Sequence, residues 1–424
     1  MPCDRLNARC HRYICRTRAV PPAVLYRACI DSMARHSTVM SVSGYDRTAD
    51  VVVVGAGVVG MSIAWHLSDA GVRCLIVERD AIGCGATNVQ AGGVRTQWTA
   101  EETCRMALES QAFYRSIDRR LRPRVRPAFD ACGYVFVATE QATMSELERA
   151  ADRQRRLGTP TSVRTPVELA KLVDGLATAE LVGGTYNPED GYFDRPRAVA
   201  HAFADAAFRN GARMRVATVV RIDGGTGRWL VQLGDGDRLA AQHVVVAAGL
   251  DTPGIVRSVG VGVPIRAEPR YMFFSTPRPP FLVRPLLVFQ DQHFVVKHLA
   301  DGRVLASDLR YGSDGGRDDD TCRAAIGAML RRFVGPLEGV GFPQVVPGAY
   351  DVTPDYQLVV GPVPGHPGLW LAGGMNGRGM MLAPSVGRML TESIVSGDRR
   401  AIPPSLLPER FTDGRDLQGE RQML

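Results

Sequence analysis

The strongest constraint on the fold is the segment ADVVVVGAGVVGMSIAWHLSDAGVRCLIVERD, which occupies residues 49–80. The β-branched run at 51–54 is typical of a strand that is buried on both faces of a parallel sheet. Residues 61–70 then have the apolar spacing of a helix, and a second apolar run over 74–77 ends at Glu78. This order predicts a βαβ unit, and with it an α/β chain whose first domain has a Rossmann-like fold.

Three glycines separate the strand from the helix and match the pattern G-x-G-x-x-G. Gly55 permits the tight turn, Gly57 lets the backbone approach a diphosphate, and Gly60 lets the helix pack closely on the strand. The diphosphate would lie at the helix N-terminus, where the N–H groups of Val58 and Val59 lack helical partners. The motif therefore predicts a dinucleotide site.

Glu78 indicates which kind of dinucleotide this is. It lies 18 residues after Gly60, at the end of the second predicted strand, where a carboxylate can accept hydrogen bonds from both ribose hydroxyls of an adenosine. The same carboxylate would repel a 2′-phosphate, which disfavours NADP. NAD and FAD are both compatible with this segment.

Length and charge narrow the class of protein. A chain of 424 residues, 45% hydrophobic and 22% charged, without an apolar run of 18 residues, predicts a two-lobed soluble enzyme with no membrane span. The net charge is +7, but residues 1–40 hold seven arginines against two aspartates, or +5, which leaves +2 for the rest. The charge therefore argues against a nucleic-acid partner.

The first 48 residues are interpreted as a leader, either disordered or the product of a misassigned start with Met33 or Met40 as the true initiator. A transit peptide is the alternative, because the segment is rich in arginine and poor in acidic residues. The later cysteines show neither CxxC spacing nor a cluster with histidine. They predict reduced thiols, no metal site and a cytoplasmic location.

Four further motifs follow the glycine turn in order. They are GCGATNVQAGGVRTQW at 83–98, DGYFD at 190–194, HVVVAAGLDTPGI at 243–255, and YDVTPDYQLVVGPVPGHPGLWLAGGMNGRGMMLAPSVG at 350–387. Together they resemble the D-amino-acid oxidase-like (DAO) family of flavoproteins, which includes sarcosine oxidases, glycine oxidases and dimethylglycine dehydrogenases. The resemblance covers about residues 49 to 400, and AGGVRTQW is most similar to the sarcosine oxidase β-like branch. It implies that the cofactor is FAD.

The resemblance also implies which residues hold FAD. The adenosine end would contact the first glycine turn and Glu78, and the N-terminus of a helix starting near Met381 would stabilise negative charge on reduced flavin. The further contacts implied are Arg79, Ala86, Thr87, Gly92, Gly93, Val219, Ala248, Gly249, Gly374, Gly377, Gly379 and Met380. We expect non-covalent FAD, because Gly348 and Ala349 stand where some relatives have the linking cysteine, and His66 lies inside the first helix.

Three cations are the candidate catalytic residues. Arg95 occupies the position at which sarcosine oxidases place an arginine that binds the substrate carboxylate. Arg378 stands where many relatives have histidine, and Met381 replaces their carboxylate-binding lysine, which puts sarcosine itself in doubt as the substrate. Lys297 aligns approximately with a lysine that offers positive charge near flavin N5 in oxidases of the family. The alternative for each of the three is an ordinary surface residue.

The predicted function is oxidation of the C–N bond of a small amino acid to an imine by hydride transfer to flavin N5. The substrate would be secondary, N-methylated or a D-amino acid, and the electrons would pass to O2 or to a carrier. The alternatives are a dehydrogenase subunit of a heteromeric complex, with partner subunits, and a non-catalytic FAD-binding assembly factor. No metal or nucleic acid is implied.

The resemblance implies two interleaved domains. A discontinuous FAD-binding domain would take residues 49–120, 190–262 and 347–400, and an α+β substrate or cap domain on a largely antiparallel sheet would take 121–189 and 263–346. Residues 401–424 would form a tail, and its polar, proline-rich composition after Pro403 predicts poor order there.

Overall fold

The computed structural model describes residues 47–225, 227–278, 283–311 and 318–412. The predicted leader lies outside these residues apart from its last two positions, and residues 413–424 of the predicted tail also lie outside them. The strands are β1 Thr48–Val54, β2 Cys74–Glu78, β3 Gly93–Val94, β4 Phe129–Asp130, β5 Tyr134–Ala138, β6 Ser162–Arg164, β7 Gly183–Asn187, β8 Gly191–Phe193, β9 Arg213–Val216, β10 Val219–Gly225, β11 Arg228–Leu233, β12 Arg238–Val246, β13 Arg266–Phe274, β14 Leu286–Phe289, β15 Phe294–His298, β16 Val304–Asp308, β17 Gln344–Val352, β18 Val359–Pro362 and β19 Leu369–Gly373. The α-helices are α1 Val58–Asp69, α2 Glu101–Tyr114, α3 Ile117–Leu121, α4 Gln141–Arg156, α5 Pro166–Ala170, α6 Pro196–Arg209, α7 Thr252–Val256, α8 Asp319–Phe333 and α9 Gly379–Ser396.

The first sheet has the order β10-β11-β12-β1-β2-β9. β19 also pairs with β12, and β18 pairs with β19. β1 is parallel to both of its neighbours, and β12 is parallel to β19. The valines of β1 are buried, as the β-branched run predicts. Because parallel strands end at the same edge, the carboxyl ends of β1, β2, β12 and β19 meet there. The predicted Rossmann-like domain is confirmed.

Helices α1, α6 and α9 cover one face of this sheet, and α9 approaches α1 through a glycine. A Cβ on Gly387 would lie 2.6 Å from the Ser62 hydroxyl, so the close approach requires glycine. Pro384 lies inside α9 and cannot donate the N–H that the Met380 carbonyl would accept. The Tyr114 hydroxyl donates to that carbonyl instead. The start of α9 is thereby held against α2.

The second sheet has the order β17-β13-β16-β15-β14-β5-β7-β6. All of its pairs are antiparallel except β14 with β5, which agrees with the predicted largely antiparallel sheet. Helix α8 packs Ile326, Leu330 and Phe333 into its core. A small third sheet joins β3, β8 and β4. β17 pairs with β13 along its whole length, so the predicted domain boundary at residue 347 falls inside a strand.

Residues 401–412, the described part of the predicted tail, pack against the rest of the fold. Ile402 and Leu406 are buried in the core that contains α1 and α9. The Arg410 guanidinium is also buried and pairs with Asp355 at 2.8 Å. Proline and polar residues suggested a solvated tail, but this apolar pair and one buried ion pair hold the segment on the fold.

Candidate functional site

A cavity of about 580 Å³ lies at the edge where the parallel strands end. Its volume falls in the usual range for a ligand or cofactor site. Gly55, at the end of β1, has φ +106°, and a Cβ there would lie 2.5 Å from the Ala247 carbonyl oxygen. A Cβ on Gly60 would lie 2.0 Å from the Gly55 carbonyl oxygen. Both positions therefore require glycine for the turn itself, whatever the ligand.

Gly57 and the start of α1 leave room for an anion. A Cβ on Gly57 would meet only the Thr87 hydroxyl, at 3.4 Å, so this glycine opens space on the cavity side. Gly57 caps α1 without a side-chain hydrogen bond, and the Val58 N–H donates to Thr87 Oγ1 at 3.0 Å. The helix dipole and the first-turn N–H groups therefore face the cavity with positive partial charge, which suits a diphosphate.

Glu78 is held in place by the backbone around it. Its Oε2 accepts from the Ala56 N–H at 2.7 Å, and its Oε1 accepts from the Asp80 N–H at 3.0 Å. Each carboxylate oxygen keeps a second lone pair, and Glu78 lines the cavity. Arg79 and Asp251 line the same end and form an ion pair at 2.8 Å. This end of the cavity fits an adenosine.

The opposite end of the cavity is formed by β17 and the start of α9. Tyr350, Asp351, Gly377 and Met380 line it. Gly377 has φ +77°, and a Cβ there would lie 2.6 Å from the Tyr350 ring, so only glycine permits this contact. α9 begins two residues later and directs its N-terminus toward this end, where it would favour a ligand with negative charge.

Most of the residues implied for FAD line this cavity: Gly55, Gly57, Val58, Val59, Glu78, Arg79, Ala86, Thr87, Val219, Ala248, Gly249, Gly377, Gly379 and Met380. Gly60, Gly92, Gly93 and Gly374 are outside the lining. An added Cβ would lie 2.0 Å from the Phe193 carbonyl oxygen at Gly92, 2.0 Å from the Tyr134 hydroxyl at Gly93, and 2.5 Å from Thr353 Cγ2 at Gly374. These glycines allow the surrounding segments to approach one another.

Arg95 and Arg378 converge on one aromatic ring, that of Trp98. The Arg95 Cζ lies 3.7 Å from the ring centroid and the Arg378 Cζ lies 5.5 Å from it. The two residues are 0% and 2% exposed. The Trp98 indole N–H donates to the Arg95 carbonyl, which ties the ring to the strand end that carries this arginine. Neither arginine is the exposed surface residue that the sequence left as the alternative.

Asp190 anchors the segment that follows Arg95. Its Oδ1 accepts from the Thr96 N–H at 2.9 Å and from the Thr96 hydroxyl at 3.0 Å, and its Oδ2 accepts from Gln97 Nε2 at 3.1 Å. Gln111 and Asn187 donate to the same carboxyl. Burial raises the pKa of Asp190 to about 7, although Gln97, Thr96 and the charge of Arg95 act in the opposite direction.

Lys297 lies away from the lining of the cavity. It is 0% exposed, its Nζ lies against the Tyr192 ring, and this amine has no hydrogen-bond partner among the described residues. Burial lowers its pKa to about 6. Tyr192 on β8 pairs with Gly93 on β3, and Gly93 lies two residues before Arg95 in the chain. The charges of Asp194 and Asp130 oppose this effect of burial on the Lys297 pKa without cancelling it.

The residues of the cavity wall that were not predicted include Arg270, Tyr350 and Asp351. Arg270 on β13 forms an ion pair with Glu268, and its Cζ lies 4.9 Å from the Tyr350 ring centroid. Asp351 accepts from the Met375 N–H at 3.0 Å, and burial raises its pKa to about 6 against the opposing effects of that bond and of Arg378. The motif at 350–387 contains Tyr350 and Asp351, but it does not specify their partners.

The glycine turn, the acidic strand end and the cavity between them define a dinucleotide-binding protein. A family model described as FAD dependent oxidoreductase (DAO) matches residues 50–393, and the chain belongs to that family. The predicted family, the predicted enzyme class and FAD as its cofactor are thereby confirmed. No helix of the described residues is long and apolar enough to cross a membrane.

The chain is also similar in sequence to individual curated proteins and in fold to solved structures. The chain is 28% identical over 405 residues to the FAD-dependent oxidoreductase domain-containing protein 1 of Xenopus laevis, covering 84% of this chain and 80% of the relative. It is 27% identical over 366 residues to the 4-methylaminobutanoate oxidase (formaldehyde-forming) of Paenarthrobacter nicotinovorans, covering 82% of this chain and 43% of that enzyme. The crystal structure of L-proline dehydrogenase from P. horikoshii superposes with a TM-score of 0.80 at 22% identity, covering 87% of this chain and 99% of the other. Glycine oxidase from Geobacillus kaustophilus gives a TM-score of 0.76 at 24% identity, covering 86% and 99%.

Proposed function

We propose that this chain oxidises the C–N bond of a small amino acid, secondary, N-methylated or of D configuration, to an imine. The cofactor would be non-covalently bound FAD. The observation that carries the proposal is the buried Arg95 guanidinium, whose Cζ lies 3.7 Å from the Trp98 ring centroid. Burial raises the pKa of Tyr350, a residue of the cavity wall, and the charges of Arg270 and Arg95 act against that rise. Some relatives are named for such reactions, including 4-methylaminobutanoate oxidase and dimethylglycine dehydrogenase of Mus musculus.

The residues present fit FAD. The glycine cradle at Gly55 and Gly57, the start of α1 and the carboxylate of Glu78 suit the adenosine diphosphate. The start of α9 lies at the opposite end, where it would favour negative charge. When bound, the flavin supplies a two-electron acceptor for the hydride. Gly348 and Ala349 stand where some relatives have the linking cysteine, which supports non-covalent binding.

Arg95 would orient the substrate by binding its carboxylate. A guanidinium stays charged at all working pH values and offers two parallel N–H donors to a carboxylate. Trp98 and Phe136 lie 3.7 Å and 4.8 Å from its Cζ, and the Asp190 network fixes the backbone that follows it. Such a preorganised cation in an apolar site holds the reacting C–H in one place and limits access of water.

Lys297 would act after the amine has been oxidised. In the oxidase version of the proposal its amine would stabilise the negative charge that forms during reduction of O2. Lys297 does not line the cavity, however, and this placement favours the dehydrogenase alternative. If O2 is not the acceptor, Lys297 has no such role, and the chain is a dehydrogenase that passes its electrons to a carrier.

The test is an anaerobic screen of the FAD-loaded chain against N-methyl amino acids, cyclic secondary amino acids and D-amino acids. Bleaching of the flavin band by at least one of them is expected, and rapid recovery in air would identify an oxidase. Slow recovery would identify a dehydrogenase. If FAD binds and no amino acid bleaches it, the proposed reaction is wrong and the assembly-factor alternative gains support.

A further inference from the structure

Arginine is concentrated in one short surface segment of the chain. Residues 115–126 contain six arginines and one aspartate, whereas 51 lysines and arginines in 424 residues would place one or two in a segment of this length. All six arginines are exposed. We call residues 115–126 the arginine cluster; it follows directly on α2 and contains α3. Its positive charge is therefore a local property and does not reflect the arginine content of the whole chain.

The charge of the arginine cluster is only partly balanced. Three of its arginines pair with acidic residues, Arg115 with Glu189 at 3.0 Å, Arg124 with Asp205 at 2.6 Å and Arg126 with Asp118 at 3.8 Å. Arg119, Arg120 and Arg122 form no ion pair with a residue that the structure describes. Six arginines less three acidic partners leave +3, against +2 for all of residues 41–424. The rest of the chain after residue 40 is thus close to neutral.

A second cavity, of about 490 Å³, lies beside the arginine cluster. Its lining includes Arg115 and Arg119 of the cluster and Phe129 on β4. Arg122 and Ala128 have φ +42° and +56°, a region that disfavours residues with a Cβ. Strained backbone of this kind is concentrated at functional sites. A charged face that is only solvated requires neither the cavity nor the strain.

Tyr114 separates this second cavity from the cofactor cavity. It lines the second cavity, and its hydroxyl donates to the carbonyl of Met380, which lines the cofactor cavity at the start of α9. The Phe193 ring centroid lies 5.0 Å from that of Tyr114 and 5.2 Å from that of Phe129. Tyr114 and Phe193 are 1% and 0% exposed. A packed path therefore leads from the arginine cluster to the end of the cofactor cavity proposed for the flavin.

We propose that the arginine cluster is the docking surface for an acidic electron-carrier protein that reoxidises the chain. The inference rests on the proposed amine oxidation for the source of the electrons. Each substrate molecule gives up two electrons, which would reduce two one-electron carriers, and the protons pass to the solvent. Positive charge around the second cavity would attract an acidic carrier and orient its redox centre toward Tyr114. An anionic membrane would also be attracted, but the packed path to the cofactor favours a redox partner.

The first test reduces the FAD-loaded protein with light and EDTA, without any amine, and follows its reoxidation by two small acceptors of opposite charge. Ferricyanide is a trianion, and tris(phenanthroline)cobalt(III) is a trication. We expect the rate with ferricyanide to fall about tenfold between about 10 and about 200 mM salt, and the rate with the cobalt complex to stay constant or rise. The same salt dependence for both acceptors would overturn the inference.

Charge reversal locates the effect on the surface. Arg119→Glu combined with Arg122→Glu should lower the rate with ferricyanide about tenfold at low salt and raise the rate with the cobalt complex. Arg228→Glu combined with Arg238→Glu is the control, because it makes the same change in charge at exposed positions of β11 and β12. The control should change neither rate by more than about twofold. Equal effects of the two double variants would show that only net charge matters, and would refute the docking surface.

Binding is measured separately on the oxidised protein, with a plant-type ferredoxin as an acidic redox protein and with phosphatidylglycerol vesicles. We expect the ferredoxin to bind at low salt, about tenfold more weakly in the Arg119→Glu, Arg122→Glu protein and unchanged in the control. Vesicle binding that depends on the two arginines, without binding of the ferredoxin, would overturn the inference in favour of a membrane surface. Binding of neither probe would also overturn it.

None of these measurements needs an amine, so they distinguish this inference from the proposed function. Bleaching by an amino acid, with reoxidation that does not depend on the arginine cluster, would leave amine oxidation intact and refute the docking surface. If no amino acid bleaches the flavin but the photoreduced protein reacts with ferricyanide through the arginine cluster, amine oxidation is wrong. The docking surface would then serve another electron donor.

Discussion

The two ends of the cavity are built on different principles. At the adenosine end, neighbouring residues of one βαβ unit supply backbone N–H groups, and glycines are required by close contacts such as Gly60 with the Gly55 carbonyl. At the substrate end, the charged side chains of Arg95, Asp190 and Arg378 come from three distant segments and are buried together. The first end fits the cofactor of the family, and the second is the end at which we propose that the substrate binds.

The largest effect is expected from a substitution that disrupts the adenosine end. Gly60→Ala would place a Cβ 2.0 Å from the Gly55 carbonyl oxygen, which the helix and strand can avoid only by separating. We expect destabilisation by about 3 kcal/mol or more and loss of measurable FAD binding. Thermal unfolding measures the stability, and flavin fluorescence measures the binding. Gly327→Ala is the control, because nothing lies within 4 Å of its added Cβ. It should be neutral or stabilising, and a fully stable, FAD-binding Gly60→Ala protein would contradict the packing role of this glycine.

The next effect should be confined to the substrate end. Arg95→Met removes an oriented ion pair with the substrate and should raise KM by about 100-fold, which corresponds to the loss of a strong charge-assisted bond. The affinity for FAD should remain within a factor of about three. Steady-state kinetics and flavin titration measure the two quantities separately. An unchanged KM would remove Arg95 from the site.

This contrast also explains what could be predicted. The glycine turn and Glu78 were accessible because their roles depend on spacing within about thirty residues of sequence, and Arg95 was accessible through a motif of the family. The sequence does not reveal that Asp190 fixes the segment after Arg95. Asp190 and Thr96, which it binds, are 94 residues apart in the chain, and the small third sheet brings their segments together. The sequence also does not reveal that a Cβ at Gly92, Gly93 or Gly374 would clash with a neighbouring segment, a requirement that is independent of their predicted contact with FAD.

Replacing Lys297 should raise the stability of the protein and lower its activity. The pKa of Lys297 falls from 10.5 to about 6 on folding, so at pH 7 the folded chain must release a proton that the unfolded chain retains. Lys297→Met removes this cost and should raise the free energy of unfolding at pH 7 by about 2–4 kcal/mol, a gain that shrinks as the pH rises toward 10.

The same variant should slow reoxidation of the reduced protein by air about tenfold or more, if Lys297 stabilises charge on oxygen. Lys171→Met, at the exposed position of the chain's other lysine, is the control for both measurements. Chemical denaturation and stopped-flow absorbance give the two results. A less stable Lys297→Met protein would show that the amine is paired in the folded chain.

The smallest effect is expected from replacing Asp190, which holds the segment after Arg95 in place. Because the pKa of Asp190 is raised from 3.8 to about 7, the folded chain binds a proton that the unfolded chain releases, so stability falls as the pH rises from about 4 to 7. Asp190→Asn should flatten this decline by about 1–2 kcal/mol and raise KM by about three- to tenfold through Arg95. Denaturation curves at pH 5 and pH 8 provide the comparison, and an equally steep decline in the variant would contradict the raised pKa.

The most direct test of the account is anaerobic reduction of the FAD-loaded chain by amino acids, recorded at the flavin absorption band. The account predicts bleaching by at least one secondary, N-methylated or D-amino acid, and loss of that bleaching at low substrate concentration in Arg95→Met. An oxidised flavin spectrum that persists with every amino acid, in a protein that binds FAD stoichiometrically, would contradict it.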